Sequence, residues 1–167
     1  VCQLARNRVT VALSGDAGDE NFGGYRRYKW HTYEERVRGY LPYAVRAPLF
    51  GLAGSLYPKL DWAPRFLRAK STFQSLARSS LEGYFHSVSI LAAELRGKLY
   101  SDSFRRDLQG YDAKQVFERF AGRVEGWDAL STVQYLDFRT YLPGDILTKV
   151  DRASMANSLE VRVPMLD

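Results

Sequence analysis

The sequence is poor in three features, and each shortage excludes a class of protein. It has one cysteine, Cys2, so no disulfide can form within the chain, as in proteins of the reducing cytoplasm. Its longest apolar runs are short and interrupted by charge, so no segment is expected to span a bilayer. Its first residues lack the basic start, apolar stretch and small-residue cleavage site of a secretory signal. These shortages predict a cytoplasmic protein that has no membrane partner.

Basic residues outnumber acidic ones, with 24 Lys and Arg against 19 Asp and Glu and a net charge of +5. Such an excess can indicate a nucleic-acid-binding protein. Here the basic residues are scattered among carboxylates, and the densest basic stretch, residues 65–78, has the pattern of a solvated helix face. The sequence therefore predicts no nucleic-acid partner.

Nearly half of the 167 residues are apolar, which is enough for a folded core in a chain of this size. Residues 9–13, VTVAL, form a β-branched apolar run that ends at Ser-Gly and predicts a buried strand. The lack of polar alternation favours a parallel sheet covered on both faces, whose other strands would lie upstream of this chain. Residues 159–163 are the one later candidate for a strand.

The rest of the sequence predicts helices. The expected fold class is therefore a mostly α fragment of an α/β domain, with one parallel-sheet strand at about 9–13 followed by a helical remainder. Asp128 and Asp145 are candidate N-caps of two helices separated by Pro143-Gly144. One further helix is predicted from an apolar stripe at helical spacing, which consists of Val45, Leu49, Leu52 and Leu56.

Residues 14–20, SGDAGDE, follow the predicted strand directly and form what we call the acidic turn. Ligands of α/β sheets bind above the carboxyl ends of the strands. Ser14 and Gly15 stand at that end, where a hydroxyl and unobstructed backbone amides can approach phosphate oxygens. Asp16 and Asp19 lie about one helical turn apart, which places two hard oxygen ligands on one side. The acidic turn therefore fits a magnesium nucleotide.

The same acids also fit a plain helix N-terminus. Asp16, Asp19 and Glu20 would favour the positive end of the helix dipole, each by up to about 1 kcal/mol. Spacing alone does not choose between the nucleotide site and the capped helix. The sequence contains no EF-hand loop, no G-x-x-x-x-G-K-(S/T) phosphate loop and no G-x-G-x-x-G fingerprint.

Two long motifs resemble one enzyme family. Residues 11–28, VALSGDAGDENFGGYRRY, resemble the S-G-(D/E)-G-x-D-E-x-F-x-G-Y segment of glutamine-dependent asparagine synthetases. Residues 141–167, YLPGDILTKVDRASMANSLEVRVPMLD, resemble the second signature of their synthetase domain, and residues 30–125 match only as a helical insert. Ala17 stands where the family often has glycine. Asn21 stands where it usually has an apolar residue, so an inward-facing Asn21 would need a polar partner.

The resemblance implies an adenine nucleotide alpha hydrolase-like domain of the ATP pyrophosphatase superfamily, with ATP and Mg²⁺ as cofactors. It implies that the side-chain carboxylate of aspartate is adenylated and pyrophosphate is released. Ammonia derived from glutamine, supplied by a glutaminase domain of the same parent chain, then attacks the acyl-adenylate to give asparagine and AMP. On this sequence the resemblance implies that Ser14 and Gly15 contact the nucleotide, that Asp19 holds Mg²⁺, and that Asp16 lies near the amino-acid substrate or the metal.

Two cations of the second motif are candidate catalytic residues. Lys149 and Arg152 lie three residues apart on one predicted helix face, and fixed cations can stabilise the charge that develops on pyrophosphate. The resemblance implies a basic residue at each position and makes Arg152 the nearer match to the catalytic cation. The alternative is a surface pair bonded to Asp145 or Asp151.

Three more residues are candidates for a substrate contact or a structural role. Glu160 and Arg162 share one face of an extended segment, where they would contact the substrate or form a buried ion pair. Asp137 lies among aromatic residues of a predicted helix. It is either a buried acid that orients one of the two cations or an exposed helix position.

The family's S-G-G-x-D-S phosphate loop and its glutaminase domain are absent from these residues. We therefore expect residues 1–167 to be part of the C-terminal synthetase domain of a longer asparagine-forming ligase, inactive by themselves. A homo-oligomer is compatible with the sequence. Two other functions fit the same motifs. One is a related amide-forming ATP-dependent synthetase of the β-lactam synthetase or lasso-peptide cyclase type, and the other is a non-catalytic helical interaction module.

Overall fold

Most of the residues that the computed structural model describes, which are 1–58, 62, 64, 68–91 and 93–167, are helical, so the predicted fold class is confirmed. In chain order the described elements are α1 (Cys2–Arg6), β1 (Val11–Leu13), α2 (Gly18–Phe22), α3 (Arg26–Tyr40), α4 (Tyr43–Leu56), α5 (Lys70–Leu76), α6 (Ser80–Val88), α7 (Ala93–Leu99), α8 (Asp102–Leu108), α9 (Lys114–Ala121), α10 (Ala129–Arg139), a π-helical turn (Leu142–Leu147), α11 (Thr148–Met155), β2 (Glu160–Arg162) and a 3-10 turn (Pro164–Leu166).

The described contacts divide the chain into two units. The terminal unit consists of Val1–Lys29 and Gly126–Asp167, and the central unit consists of Trp30–Glu125. Within the described ranges, no helix combines the length and the apolar character needed to cross a membrane. Part of the basic stretch, residues 65–67, lies outside the described residues.

The terminal unit contains the sheet. The predicted strands at 9–13 and 159–163 are confirmed as β1 and β2, which pair in parallel with Ala12 opposite Val161. The expectation that every partner of β1 lies upstream is therefore wrong. In this two-stranded sheet Val11 is 37% exposed and Leu13 is 74% exposed, so burial on both faces by further strands stays a prediction.

A nearly continuous helical run leads from α10 into the second motif. Asp128 caps α10 as predicted, because its Oδ1 atom accepts hydrogen bonds from the backbone N–H groups of Leu130 at 3.0 Å and Ser131 at 3.1 Å. The prediction that Asp145 caps a separate helix is wrong. Pro143 cannot donate a backbone hydrogen bond, and the chain passes it in the wider π-helical turn, which leads directly into α11.

The core beneath the acidic turn joins the two motifs. Ala17 packs with Leu142 and Ile146 of the π-helical turn, and all three residues are buried. Four partly buried side chains surround this cluster, and they are Phe138, Tyr141, Leu147 and Val163. The backbone of the acidic turn is therefore seated on residues that lie more than a hundred positions later in the sequence.

The apolar stripe of the central unit lies on a helix, but it is not the buried face of that helix. The predicted helix is confirmed as α4, yet its stripe residues are exposed by 54% to 74%, and they are Val45, Leu49, Leu52 and Leu56. Arg46 is buried instead. Its guanidinium donates to the carbonyl oxygens of Leu76 and Arg78, which bonds α4 to the carboxyl end of α5.

His31 is a buried titratable group of the central unit. Its side chain is 4% exposed, and its ring packs edge-on against Tyr84 with the centroids 5.2 Å apart. The Nε2 atom lies 3.5 Å from the Ser80 hydroxyl and 3.8 Å from the Glu35 carboxylate. Burial lowers the pKa of His31 from 6.5 to about 4, against the opposing effect of Glu35, so the imidazole is neutral at pH 7.

Candidate active site

The start of the acidic turn continues the parallel pairing of the sheet. The backbone N–H of Ser14 donates to the carbonyl oxygen of Arg162 at 2.9 Å, so the turn begins at the carboxyl end of β1. The Ser14 hydroxyl donates to Asp16 Oδ2 at 2.6 Å. A methyl group at the exposed Gly15 would meet no described atom within 4 Å. The backbone at Gly15 is therefore open to a ligand, whereas the backbone N–H and the hydroxyl of Ser14 already donate to partners within the chain.

Neighbouring acids of α2 lie in opposite environments. Asp19 is exposed, and no hydrogen bond to its carboxylate is present among the described residues. Glu20 is 1% exposed, and its carboxylate accepts a hydrogen bond from the Tyr25 hydroxyl at 2.8 Å. The backbone carbonyl of Glu20 also accepts from Gln134 Nε2 of α10 at 2.7 Å. Glu20 thus anchors α2, whereas Asp19 remains accessible to a cation.

No hydrogen bond among the described residues supports the alternative that Asp16 caps a helix. Helix α2 has no side-chain capping hydrogen bond, and the Asp16 carboxylate is instead bonded to the Ser14 hydroxyl. Asp19 and Glu20 do lie in the first turn of α2. Of the two acids in the five-residue helix α2, Asp19 is the one exposed to solvent.

Ala17 occupies a backbone conformation that favours glycine. Its φ angle is 66° and its ψ angle is −4°, in the left-handed region, and its residue exposure is 1%. An L-residue in this region costs roughly 1 kcal/mol or more relative to glycine. This conformation explains why the resembled motif often has glycine at the position that Ala17 occupies.

Asn21 has the polar partner that its departure from the motif requires. Its Nδ2 atom donates to the carbonyl oxygen of Met165 at 2.9 Å, and its backbone carbonyl oxygen accepts from Gln134 Nε2 at 3.2 Å. Asn21 is exposed rather than packed inward. The side chain therefore ties α2 to the 3-10 turn near the end of the chain.

Gly24 lies against the exposed acid. A methyl group built on Gly24 would overlap Asp19 Oδ1 and lie 3.1 Å from its Cγ and 3.3 Å from its Cα. The Gly24 backbone N–H also donates to the Asp19 carbonyl oxygen at 2.9 Å. The missing side chain of Gly24 thus leaves the space in which the Asp19 carboxylate lies.

Asp137 is buried, but it orients a different cation from the two that we considered. Its Oδ2 atom accepts hydrogen bonds from Arg27 Nη2 at 2.6 Å, Arg27 Nε at 3.2 Å and the Tyr28 hydroxyl at 2.7 Å. The residue is 1% exposed. The hypothesis that Asp137 orients Lys149 or Arg152 is therefore wrong. Arg27 was missed, although its place in the GGYRRY segment was a signal that could have identified it.

Lys149 and Arg152 are exposed on α11. In the part of the chain that the structure describes, neither side chain forms an ion pair within 4.0 Å, so the surface pairing with Asp145 or Asp151 is not present. Both cations are thus available to an anionic ligand.

Glu160 and Arg162 bond to each other on β2. Arg162 Nε lies 2.7 Å from Glu160 Oε1, but the side chains are 65% and 55% exposed, so the expected buried ion pair is wrong. Solvent screens an exposed pair of this kind, so it contributes little to stability. Their alternative role as substrate contacts stays a prediction.

The donors of the acidic turn fit Mg²⁺ but not a metal held by the protein alone. Within the described ranges, no three His, Cys, Asp or Glu side chains are grouped so that they could hold a metal ion. Mg²⁺ commonly takes one or two carboxylates and completes its shell with water and substrate phosphates. Asp16 and Asp19 of the acidic turn are that number of hard oxygen ligands.

Comparison with known proteins identifies the family. The Asparagine synthase family model matches residues 1–167, so the chain belongs to that family. A Mycobacterium tuberculosis protein provisionally named asparagine synthetase (glutamine-hydrolyzing) is 37% identical over 168 residues, which is 100% of this chain and 24% of that protein. Asparagine synthetase (glutamine-hydrolyzing) 1 of Bacillus subtilis is 30% identical over 167 residues, with the same coverage. No solved structure matches the chain. The chain thus spans about a quarter of the length of these relatives.

Proposed function

We propose that residues 1–167 are part of the C-terminal synthetase domain of a longer protein, the parent protein, which is a cytoplasmic glutamine-hydrolysing asparagine synthetase. Its domain would have the adenine nucleotide alpha hydrolase-like fold. The observation that carries the proposal is the family match over the whole chain together with an accessible acid and two accessible cations in its two motifs.

The proposed reaction has two steps. A side-chain carboxylate oxygen of aspartate attacks the α-phosphorus of ATP, and the bond from that phosphorus to pyrophosphate breaks. Ammonia then attacks the carbonyl carbon of the β-aspartyl adenylate, loses a proton and displaces AMP, which leaves asparagine. The glutaminase domain of the parent protein would supply the ammonia from glutamine.

The acidic turn would bind the nucleotide and its metal. The backbone at Gly15 and the hydroxyl of Ser14 lie at a strand end, the usual position for phosphate contacts in α/β folds. The bond from Ser14 to Asp16 would fix the Asp16 carboxylate near the metal or the amino-acid substrate. Asp19 would be the principal protein ligand of Mg²⁺, which would neutralise phosphate charge when bound.

The cations of α11 would act on the leaving group. Negative charge builds up on pyrophosphate as the bond to the α-phosphorus breaks, and fixed cations stabilise that charge in the transition state. Lys149 and Arg152 carry no competing ion pair among the described residues, so neither would have to break one first. Arg152 is the expected catalytic cation and Lys149 its neighbour.

The names of the relatives favour aspartate as the acceptor acid over the other two functions. Both relatives carry the name asparagine synthetase (glutamine-hydrolyzing), one of them provisionally, and neither name refers to a lactam, a lasso peptide or a binding module. Glu160 and Arg162 are exposed side chains of β2, which lies within the second motif, and they remain proposed substrate contacts. Homo-oligomerisation is compatible with this function.

The proposal predicts that Asp19→Asn abolishes synthesis in the parent protein. With aspartate, glutamine and Mg-ATP, the unmodified parent should form AMP, pyrophosphate and asparagine in equal amounts. Loss of the carboxylate should lower the rate of all three by about 100-fold or more, because the metal would lose its charged protein ligand.

Asp107→Asn is the matched control, because Asp107 is also exposed but lies on α8 of the central unit, outside the two motifs. It should keep the parental rate. Formation of AMP and pyrophosphate with another acid, and not with aspartate, would show that the acceptor is wrong. A parent protein without activity toward any acid would instead favour the helical interaction module.

A further inference from the structure

A partly buried cation, Arg27, joins the two motifs of the terminal unit. The Arg27 guanidinium lies over two aromatic rings, 3.9 Å from the centroid of Tyr25 and 4.6 Å from that of Tyr141. Its edge donates to Asp137 of α10 at 2.6 Å and 3.2 Å. We call these four residues the arginine clamp. Tyr25 and Tyr141 also contact each other, with ring centroids 6.1 Å apart and planes at 74°.

The clamp reaches the acidic turn through Tyr25. The Tyr25 hydroxyl donates to the buried Glu20 carboxylate at 2.8 Å, and Glu20 lies next to Asp19 on α2. Burial raises the pKa of Tyr25, and the bond to Glu20 raises it further, so the phenol stays a donor at neutral pH. The position of α2 is therefore coupled to the position of the Arg27 guanidinium.

The clamp reaches the cations of α11 through Tyr141. This residue directly precedes the π-helical turn, which runs into α11 and its cations Lys149 and Arg152. A planar guanidinium that contacts two rings and is bonded to a carboxylate restricts the arrangement of the four clamp residues. We infer that Arg27 is a positioning residue, which holds the acidic turn and α11 in the relative positions that the proposed adenylation needs.

This inference rests on the proposed function, and the exchange of pyrophosphate into ATP by the parent protein tests it. Arg27→Lys keeps the positive charge but loses the planar fork and the stacking. Its kcat for aspartate-dependent exchange, normalised to titrated active sites, should fall about 100-fold, while the KM for ATP changes less than about threefold. A purely structural role would lower the titrated fraction and the melting temperature and leave the normalised kcat unchanged.

A second variant keeps the test valid if Arg27→Lys folds poorly. Tyr141→Leu removes one of the two rings that contact the guanidinium and leaves the Arg27–Asp137 ion pair in place, and it should show the same fall in kcat with little change in KM. Arg36→Lys is the matched control. Arg36 is an exposed arginine on the same helix α3, 5.6 Å from the Tyr33 ring, and its substitution should leave kcat and KM unchanged.

The outcomes separate the inference from the function beneath it. A parental exchange rate in titrated Arg27→Lys and Tyr141→Leu would overturn the clamp's role and leave the asparagine synthetase proposal standing. A large increase in KM at constant kcat would also overturn it. That result would mean that Arg27 contributes to ATP binding and not to the positioning of the acidic turn relative to α11. A parent protein that shows no aspartate-dependent exchange would overturn the proposed function, and the inference with it.

Discussion

Ala17 combines two opposing effects at a single position. Its left-handed backbone disfavours a side chain, whereas its methyl group is packed against Leu142 and Ile146. The conformational cost of about 1 kcal/mol is similar in size to the gain of about 0.8 kcal/mol from burying a methyl group. The two effects nearly cancel, so alanine is tolerated where the motif often has glycine.

Two substitutions at Ala17 should therefore differ strongly. We expect Ala17→Gly to change the free energy of unfolding by less than about 1 kcal/mol, because it removes both effects together. Ala17→Val should destabilise by about 2 kcal/mol or more, because a β-branched residue fits neither the positive φ nor the closed packing. Denaturant unfolding of both variants measures the difference. Equal stability of Ala17→Val and the unmodified protein would contradict this account.

Gly24 allows a test of how the Asp19 carboxylate is placed. Gly24→Ala would push the carboxylate aside, since the added methyl group overlaps Asp19 Oδ1. In the parent protein the magnesium concentration for half-maximal activity should rise about tenfold or more, which is the size of effect seen when a metal ligand loses its support. Gly39→Ala is the control, because a methyl group there meets no described atom within 4 Å. The idea fails if both variants have the same magnesium requirement.

At the scale of elements, α3 introduces a pH dependence through His31. The pKa of this buried imidazole is about 4 in the folded protein and about 6.5 in the unfolded chain. The unfolded state binds the proton more readily between these values, so stability is complete above about pH 6.5 and declines as the pH falls toward 4. The expected total loss is about 3 kcal/mol.

Unfolding by denaturant at pH 7.0 and pH 4.5 measures this loss. His31→Phe keeps an aromatic ring against Tyr84 and removes the titration, so its stability should fall less between the two pH values. Burial raises the pKa of Glu34, which acts in the opposite sense and is common to both proteins, so their difference isolates His31. An identical decline in both proteins would contradict the assignment.

The π-helical turn illustrates why helix boundaries in the second motif were not predictable. Pro143 and Gly144 usually end a helix, and Asp145 has the chemistry of a cap. The fold instead continues the helix, because Leu142 and Ile146 are both buried against Ala17. This packing partner comes from the other end of the sequence, so no local rule reports it.

At the scale of the whole molecule, we expect the chain to hold part of a site. It carries the acidic turn and the α11 cations, but the S-G-G-x-D-S loop pattern is absent from its residues. The chain expressed by itself should therefore form no AMP or pyrophosphate from Mg-ATP and aspartate above the buffer rate. The parent protein at equal molarity is the positive control, and circular dichroism establishes that the chain is helical. Turnover by the chain alone would show that these residues are a complete catalytic unit.

The exposed apolar stripe of α4 is also a matter of the whole molecule. The periodicity of Val45, Leu49, Leu52 and Leu56 indicates one side of a helix, but it does not state whether that side faces a core. In this chain the buried side of α4 is the one that carries Arg46. Helical spacing is a property of the segment, whereas burial depends on which other segment lies against it.

The sequence by itself determined the mostly helical fold class, the two strands, the Asp128 cap and the family. These follow from backbone propensities, from side-chain chemistry within a few residues, and from two motifs that are contiguous in the chain. Only the tertiary structure decided the split between exposed Asp19 and buried Glu20, the left-handed Ala17, and the partnership of Asp137 with Arg27. The physical reason is distance along the chain. Arg27 and Asp137 are 110 residues apart, and the energy of their ion pair exists only once folding has brought both groups together.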